Sequence, residues 1–439
     1  MKVEIKNLGP LKDASFEVGG LTIICGENNT GKTTAAHLLF DFLNQLPRIC
    51  ELPVNPRHVE ELVAKHHATI DLAEYRNAAI QAVSVAAGKM SKTNKASKWK
   101  FNVSCEPQDF DIERYIKIGF RSFTYRYAVE ATKDEGGTTL VLNVCNESPK
   151  AQKQVFSAEY AKMALSQILH DCFWEETGGL NPFIISAERT GIAVFQPEIN
   201  IANGRVVASM KSPEKAVANG FWDKFAGHAE SITHNLEFIN RLSVDANSFS
   251  VFFTSAMDQA LTGIIGGSYQ FSKDGVASFS PQDAKKRIDI EKWSSSVRGL
   301  LFLRYYLRKE ARKNQLLIID EPELNLHPKN QRKIARLLAL LVNAGLKVMI
   351  TTHSDYIVKE FNTLLMLGDK ENERAQALMA KYGYTQEEVL DIADVRAYSA
   401  KDGAFVPANM SQGMGIEIEG FDEAIVEMGN IQRDILFGE

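Results

Sequence analysis

Long apolar runs are missing from this 439-residue sequence, and none approaches the roughly 18 residues that a membrane span needs. The opening stretch MKVEIKNLGPLKD is charged and strand-like rather than a signal peptide, so the expected compartment is the cytoplasm, with no membrane partner. Cysteine is scarce. The five present (Cys25, Cys50, Cys105, Cys145 and Cys172) show no C-x-x-C spacing, which argues against a zinc site and against a disulfide framework. A net charge of −5 excludes global attraction to nucleic acid and leaves only local basic patches for that work. Internal repeats are absent, and so are long heptad arms. At 45% apolar residues the chain can still bury a sizeable core, and its length predicts about two or three domains.

The most specific stretch present is IICGENNTGKTT, residues 23–34. Gly26, Gly31, Lys32 and Thr33 fit G-x-x-x-x-G-K-[ST], placed after the apolar run Leu21–Cys25 and before the helix-like AAHLLFDFL. That context predicts a strand, a phosphate loop and a helix start. Backbone N–H groups of such a loop close around a β-phosphate, Lys32 reaches the β- and γ-oxygens, and the Thr33 hydroxyl can ligate Mg²⁺.

A second apolar run, LLIIDEPELNLHP (316–328), ends in Asp320 and Glu321, the carboxylate pair expected beside a phosphate loop in a parallel sheet. Asp320 is expected to hold Mg²⁺ through water, and Glu321 to orient and deprotonate an attacking water. A third run, KVMITTHSDYIV (347–358), ends at Thr351, Thr352 and His353, where an imidazole can touch a γ-phosphate. The N-K-x-D motif of guanine readers is absent, since NKAS at 94–97 lacks the aspartate, so ATP is the expected nucleotide.

Lys32 and Asp320 are 288 residues apart, so the nucleotide core is split by a long insertion. With these motifs the chain resembles ABC-type ATPases of the SMC and RecF kind. Within that group it is similar to the overcoming-lysogenization-defect ATPases and the AAA-annotated ATPases of prokaryotic antiphage systems. The resemblance covers 1–46, about 180–195 and 290–362. It implies an α/β fold, a P-loop ABC-type core with a mixed or antiparallel β-subdomain and a helical insertion. It also implies a Walker A loop of Gly26, Glu27, Asn28, Asn29, Thr30, Gly31, Lys32, Thr33 and Thr34, a Walker B Asp320, a catalytic Glu321, a switch His353, and a D-loop at 323–328.

WSSSVRGL (293–300) resembles the start of the signature helix, with Ser294, Ser295, Ser296 and Gly299 serving the γ-phosphate held by the other protomer; Ser296 stands where a glycine is usual. A plain helix cap by Ser294–Ser296 is the alternative. No clear Q-loop glutamine appears. In SAERTG (186–191), Arg189 as a phosphate sensor or Glu188 as a metal ligand competes with a surface salt bridge.

The expected organisation is an ATPase lobe with an inserted helical and β region at 1–190, a helical insertion at 191–312, the remaining core at 313–362 and a C-terminal helical segment at 363–439. Within the first part, Pro47–Pro56 is expected to break the helix pattern and Arg57–Ala87 to be mainly helical. The lysine-rich stretch 88–100 (Lys89, Lys92, Lys95, Lys98 and Lys100 around Trp99) offers a site for nucleic acid, a partner's acidic surface, or simply a solvated loop. EIEGFDEAIVEM (417–428) imitates the E-G-x-x-D opening of a Toprim nuclease, but Glu419, Gly420 and Asp422 are spaced too tightly. Phe421, Ile425, Met428, Gln432 and Ile435 read instead as one apolar stripe of a helix.

The expected activity is therefore ATP hydrolysis with Mg²⁺, in a dimer formed around ATP that regulates a separately encoded nuclease or toxin in antiphage defence. A DNA-clamping repair or chromosome ATPase is the alternative, and a transporter subunit the third class.

Overall fold

Strands whose residues are apolar on both faces belong in the middle of a parallel sheet covered by helices, and three segments have that character. They are β3 (Leu21–Gly26), β13 (Leu316–Asp320) and β14 (Lys347–Thr352), buried almost throughout. In the computed structural model, which describes residues 1–90, 99–121, 127–146, 156–174, 181–194, 230–242, 250–271, 277–282, 287–289, 292–369, 373–418 and 423–438, these strands are neighbours.

Contacts divide the chain into two units, Met1–Leu8 with Phe42–Pro182, and Gly9–Asp41 with Phe183–Glu439. The first unit pairs β1 (Lys2–Leu8) antiparallel with β5 (Lys100–Ser104). It also carries an antiparallel sheet of order β4-β8-β7-β6, from β4 (His67–Asp71), β6 (Ile116–Arg121), β7 (Tyr127–Lys133) and β8 (Thr139–Asn146). Helices α2 (Pro56–Lys65), α3 (Ala73–Met90) and α4 (Ala158–Phe173) accompany it. Asn55 caps α2 and Ser157 caps α4 through their side-chain oxygens.

The second unit holds the six-stranded sheet, order β16-β15-β3-β14-β13-β9, where β9 is Pro182–Ile185, β15 Val395–Lys401 and β16 Ala404–Pro407. Strands β15, β3, β14 and β13 run parallel, and β16 pairs antiparallel with β15. Helix α1 (Lys32–Ile49) leaves the sheet after β3. Helices α5 (Glu230–Leu242), α6 (Ser255–Ile265), α7 (Ser295–Lys309), α8 (Pro328–Asn343) and α9 (Asp355–Leu367) contribute to the same apolar core as Ile23, Leu317, Ile319, Val348 and Ile350. A small antiparallel sheet of β10 (Gly267–Phe271), β11 (Ala277–Pro281) and β12 (Ile288–Asp289) lies between α6 and α7 in the chain.

Sequence and structure part company in the following places. Helix α1 runs through Pro47 to Ile49, since one missing donor near a helix end is cheaply absorbed. Strand β4 interrupts the expected helix at 57–87, because His67–Asp71 alternates exposed and buried and pairs with β8. The C-terminal segment 363–439 is not purely helical. It includes α10 (Glu373–Tyr382), then β15, β16, β17 (Asn409–Ser411), β18 (Gly415–Glu417) and α11 (Glu423–Phe437). The reason is the short alternation in VRAYSAK, which buries Val395, Ala397, Tyr398 and Ala400 beside β3. The six-stranded sheet combines β3 from the first part of the sequence with β13, β14, β15 and β16 from the last. In α11, Met428 and Ile435 are exposed, while Phe421 and the side chain of Ile425 lie outside the described residues.

Candidate nucleotide site

The C-terminal edges of β3, β14 and β13 gather the three motifs, as expected where a parallel sheet changes direction. Two glycines make the loop possible. Gly26 has φ +139°, and a Cβ there would meet the Ala400 carbonyl oxygen at 2.7 Å. Gly31 has φ +93°, and its Cβ would lie 2.4 Å from Leu11 Cδ2. Both conditions exclude other residues. The loop then opens into α1 at Lys32, with no acidic residue in the first turn to compete with an anion at the helix start. A cavity of about 590 Å³ is lined by Pro10, the loop residues 28–34, Glu321 and His353.

Lys32 is 5% exposed, and its Nζ donates to the carbonyls of Gly26 (3.0 Å) and Glu27 (2.5 Å) and to Thr30 Oγ1 (3.4 Å). Burial lowers the pKa of its ammonium, against the attraction of Glu321 and Asp320. Asp320 is fully buried. Its Oδ1 accepts from Thr33 Oγ1 at 3.1 Å and, closer still, from Thr351 Oγ1. Its Oδ2 has no hydrogen-bond partner, and His37 Nε2 lies 3.7 Å from it. A desolvated carboxylate oxygen without a donor is costly unless something else comes to it. Thr33 and Asp320 present hard oxygen donors too few to enclose an ion, and among the described residues no cluster of three His, Cys, Asp or Glu could hold one. That donor set fits Mg²⁺, which keeps several waters and takes phosphate oxygens as its remaining ligands.

Glu321 is held in the left-handed region, φ +51°, at a cost of roughly 1–2 kcal/mol for a non-glycine residue. Its N–H donates to the Thr351 carbonyl at 3.1 Å, with Thr351 Oγ1 at 3.3 Å, and its carboxylate lies 3.5 Å from His353 Nε2. Burial and the nearby Lys32 charge lower the His353 pKa, with Glu321 opposing, which favours the neutral imidazole. Glu323 fixes the backbone there: its Oε1 accepts from His353 N–H at 2.7 Å and from Thr352 Oγ1 at 2.9 Å. Burial raises the Glu323 pKa.

The structure therefore brings Lys32, Thr33, Asp320, Glu321 and His353 together. Arg189 bonds the backbone beside them and does not line the cavity. It is 2% exposed, and its guanidinium donates to the carbonyls of Ser186 (3.1 Å), Asp320 (2.8 Å) and Glu321 (2.6 Å), while Glu188 is exposed. The signature residues stand apart from the cavity. Ser294 is exposed and caps α7 by accepting from Val297 N–H at 3.4 Å; it also bonds Ser296 Oγ at 2.9 Å. Ser295 and Ser296 are partly exposed, whereas Gly299 is buried, with Arg189 Nε and Thr190 Oγ1 each 3.7 Å from where its Cβ would be.

Sequence reasoning missed His37 and Ser231, and it reached Glu323 only as part of the D-loop stretch 323–328. His37 lies one helical turn after Thr33 on the same face, a readable signal, and its Nδ1 is 3.1 Å from Ser231 Oγ. Ser231 comes from α5, which no local pattern connects to the phosphate loop. Of the lysine-rich stretch, Lys89 and Lys100 are exposed and Trp99 is partly buried; Lys92, Lys95 and Lys98 lie outside the described residues. So do Glu419, Gly420 and Asp422 of the Toprim imitation. Among the described residues no helix is long and apolar enough to cross a membrane.

No curated protein matches the chain. Solved structures similar to it include a crystal structure of the Smc head bound to the C-winged helix domain of ScpA, 12% identical, with 93% of this chain and 97% of that one covered and a TM-score of 0.35. The Smc head with an extended coiled coil bound to the C-terminal domain of ScpA, from Pyrococcus furiosus, is 12% identical, with 98% of each chain covered and a TM-score of 0.33. The SMC head domain from Thermotoga maritima is 10% identical, with 93% and 98% covered and a TM-score of 0.30. The family model described as AAA ATPase domain matches residues 1–176 and 165–358, and with its phosphate loop, paired carboxylates and split α/β core this chain belongs to that family.

Proposed function

We propose that this chain hydrolyses ATP, dimerises around it, and uses the cycle to regulate a separately encoded effector, a nuclease or toxin, in antiphage defence. The observation that carries the enzymatic part is the convergence of Lys32, Thr33, Glu321 and His353 on one cavity, with Asp320 beneath Thr33. Mg²⁺, held by Thr33 and Asp320, would neutralise charge on the β- and γ-phosphate oxygens. Lys32 exchanges its loop carbonyls for phosphate oxygens. Glu321 orients the attacking water and accepts its proton, and neutral His353 donates to the γ-phosphate.

The dimer reading rests on placement. Ser294–Ser296 open a helix whose start is exposed, and they do not line the cavity of their own chain. A γ-phosphate offered by a second copy would meet serine hydroxyls and the positive end of the helix dipole there. The antiphage role and the effector rest on the motif resemblance, and purification from the native operon with identification of the co-purifying protein tests them. For the composite site, a Lys32→Ala chain mixed with a Ser294→Ala/Ser296→Ala chain should recover hydrolysis that neither shows alone. Rates in the mixture no higher than in the separate samples would refute sites shared between protomers.

A further inference from the structure

The catalytic carboxylate needs a conformation its own backbone disfavours, and something must impose it. Glu321 sits at φ +51°, directly after a strand, where an ordinary residue would continue extended. Its N–H is fixed by Thr351 on β14. Its carbonyl, and that of Asp320 before it, are fixed by a single side chain, Arg189, at 2.6 and 2.8 Å. We propose that Arg189 is a positioning residue for hydrolysis, holding the two carbonyls so that the Glu321 carboxylate faces the γ-phosphate. This role rests on the reading of Glu321 as the base.

The geometry suits the side chain. A guanidinium is a rigid planar fork, and this one spans three carbonyls that belong to two segments distant in sequence, 186 and 320–321. The fork is itself anchored. Ser186 donates its N–H to Asn235 Oδ1 at 3.1 Å, and Asn235 Nδ2 donates to the Ile184 carbonyl at 2.5 Å, so α5 clamps the end of β9 from which Arg189 springs. With both terminal nitrogens aimed at carbonyls and only 2% of the residue exposed, Arg189 is turned away from solvent and does not line the nucleotide cavity. The same short segment reaches the D-loop, where Asn325 Nδ2 lies 3.5 Å from Thr190 Oγ1.

A residue acting through Glu321 makes a distinctive kinetic signature. In the full-length chain, Arg189→Met should leave the dissociation constant for a fluorescent ATP analogue within about threefold, because the Lys32 loop keeps its own bonds, while kcat falls by about 30-fold or more. Arg189→Lys should recover part of that loss, since one ammonium cannot span three carbonyls, and it carries the test if the methionine variant does not fold. Single-turnover hydrolysis by Arg189→Met/Glu321→Gln should equal that of Glu321→Gln alone, since the base it positions is already gone. Multiplying losses in the double variant, or nucleotide affinity falling in step with kcat, would overturn the positioning role. Unimpaired hydrolysis by Glu321→Gln alone is the separate result that would overturn the reading of the base, and the positioning role with it.

Discussion

Replacing Lys32 by Met tests the heart of the site, because the ammonium must leave one set of partners for another. In this structure its Nζ bonds the Gly26 carbonyl at 3.0 Å and the Glu27 carbonyl at 2.5 Å, so its needs are already met without phosphate. The gain on binding ATP is the difference between those neutral acceptors and doubly bonded, charged phosphate oxygens. Both sets of bonds are charge-assisted by the ammonium, so the net gain is its attraction to the phosphate charge, about 4 kcal/mol for a unit pair at about 4 Å near a protein surface and about 3 kcal/mol after desolvation. That corresponds to a dissociation constant about 100-fold weaker. Met is close in volume and keeps the stem packed, so the fold should survive. Anisotropy titration of a fluorescent ATP analogue measures the effect, with Glu321→Gln run beside it. That second variant should bind within about threefold of the parent, hydrolyse about 100-fold more slowly, and accumulate as the closed dimer in size-exclusion chromatography with ATP. Equal loss of binding in both variants, or unchanged affinity in Lys32→Met, would refute the division of labour.

Two further perturbations concern buried and half-buried carboxylates. Thr351→Val removes the hydroxyl that bonds Asp320 Oδ1 while preserving shape, so the Mg²⁺ concentration for half-maximal hydrolysis should rise about 10-fold; an unchanged Mg²⁺ titration would refute it. Asp41, one turn beyond His37, is pushed up to about 7 by burial with Glu230 adding to it, and its Oδ1 has no hydrogen-bond partner. The folded chain thus keeps a proton that the unfolded chain releases near the ordinary 3.8, so stability declines as pH rises through that window and levels off above about 7. Asp41→Asn should remove the decline, gaining about 2 kcal/mol at pH 8 after allowance for its partial exposure and little at pH 4. Denaturation midpoints that differ equally at both pH values would contradict this.

The parts of the site that could be read from sequence are those whose chemistry is local. A phosphate loop needs its glycines and lysine within eight residues, and a buried parallel strand announces itself by apolar residues on both faces. Lys32, Asp320 and His353 were legible for that reason. Arg189 was visible as a charged residue after an apolar strand, but its function depends on carbonyls at 320–321, and no spacing rule links the two. Glu323 looks like one more acidic residue in EPELN until its carboxylate is seen holding the His353 backbone. Strand β15 escaped because its alternation is short and carries small residues, so that its β identity comes from pairing with β3 rather than from propensity.

The strand order has a consequence for how the chain comes to be folded. Strand β3, which carries the phosphate loop, is made long before the neighbours on its two sides, β14 (Lys347–Thr352) and β15 (Val395–Lys401). During synthesis LTIICG therefore waits, apolar and with both edges open, until β14 and β15 have emerged. Closing such distant pairings is slow, and an unpaired apolar strand is a template for wrong ones. Nucleotide binding is thus a late acquisition of the nascent protein, and a chain interrupted before residue 347 would leave the ribosome with its most recognisable motif in place and no sheet in which to hold it.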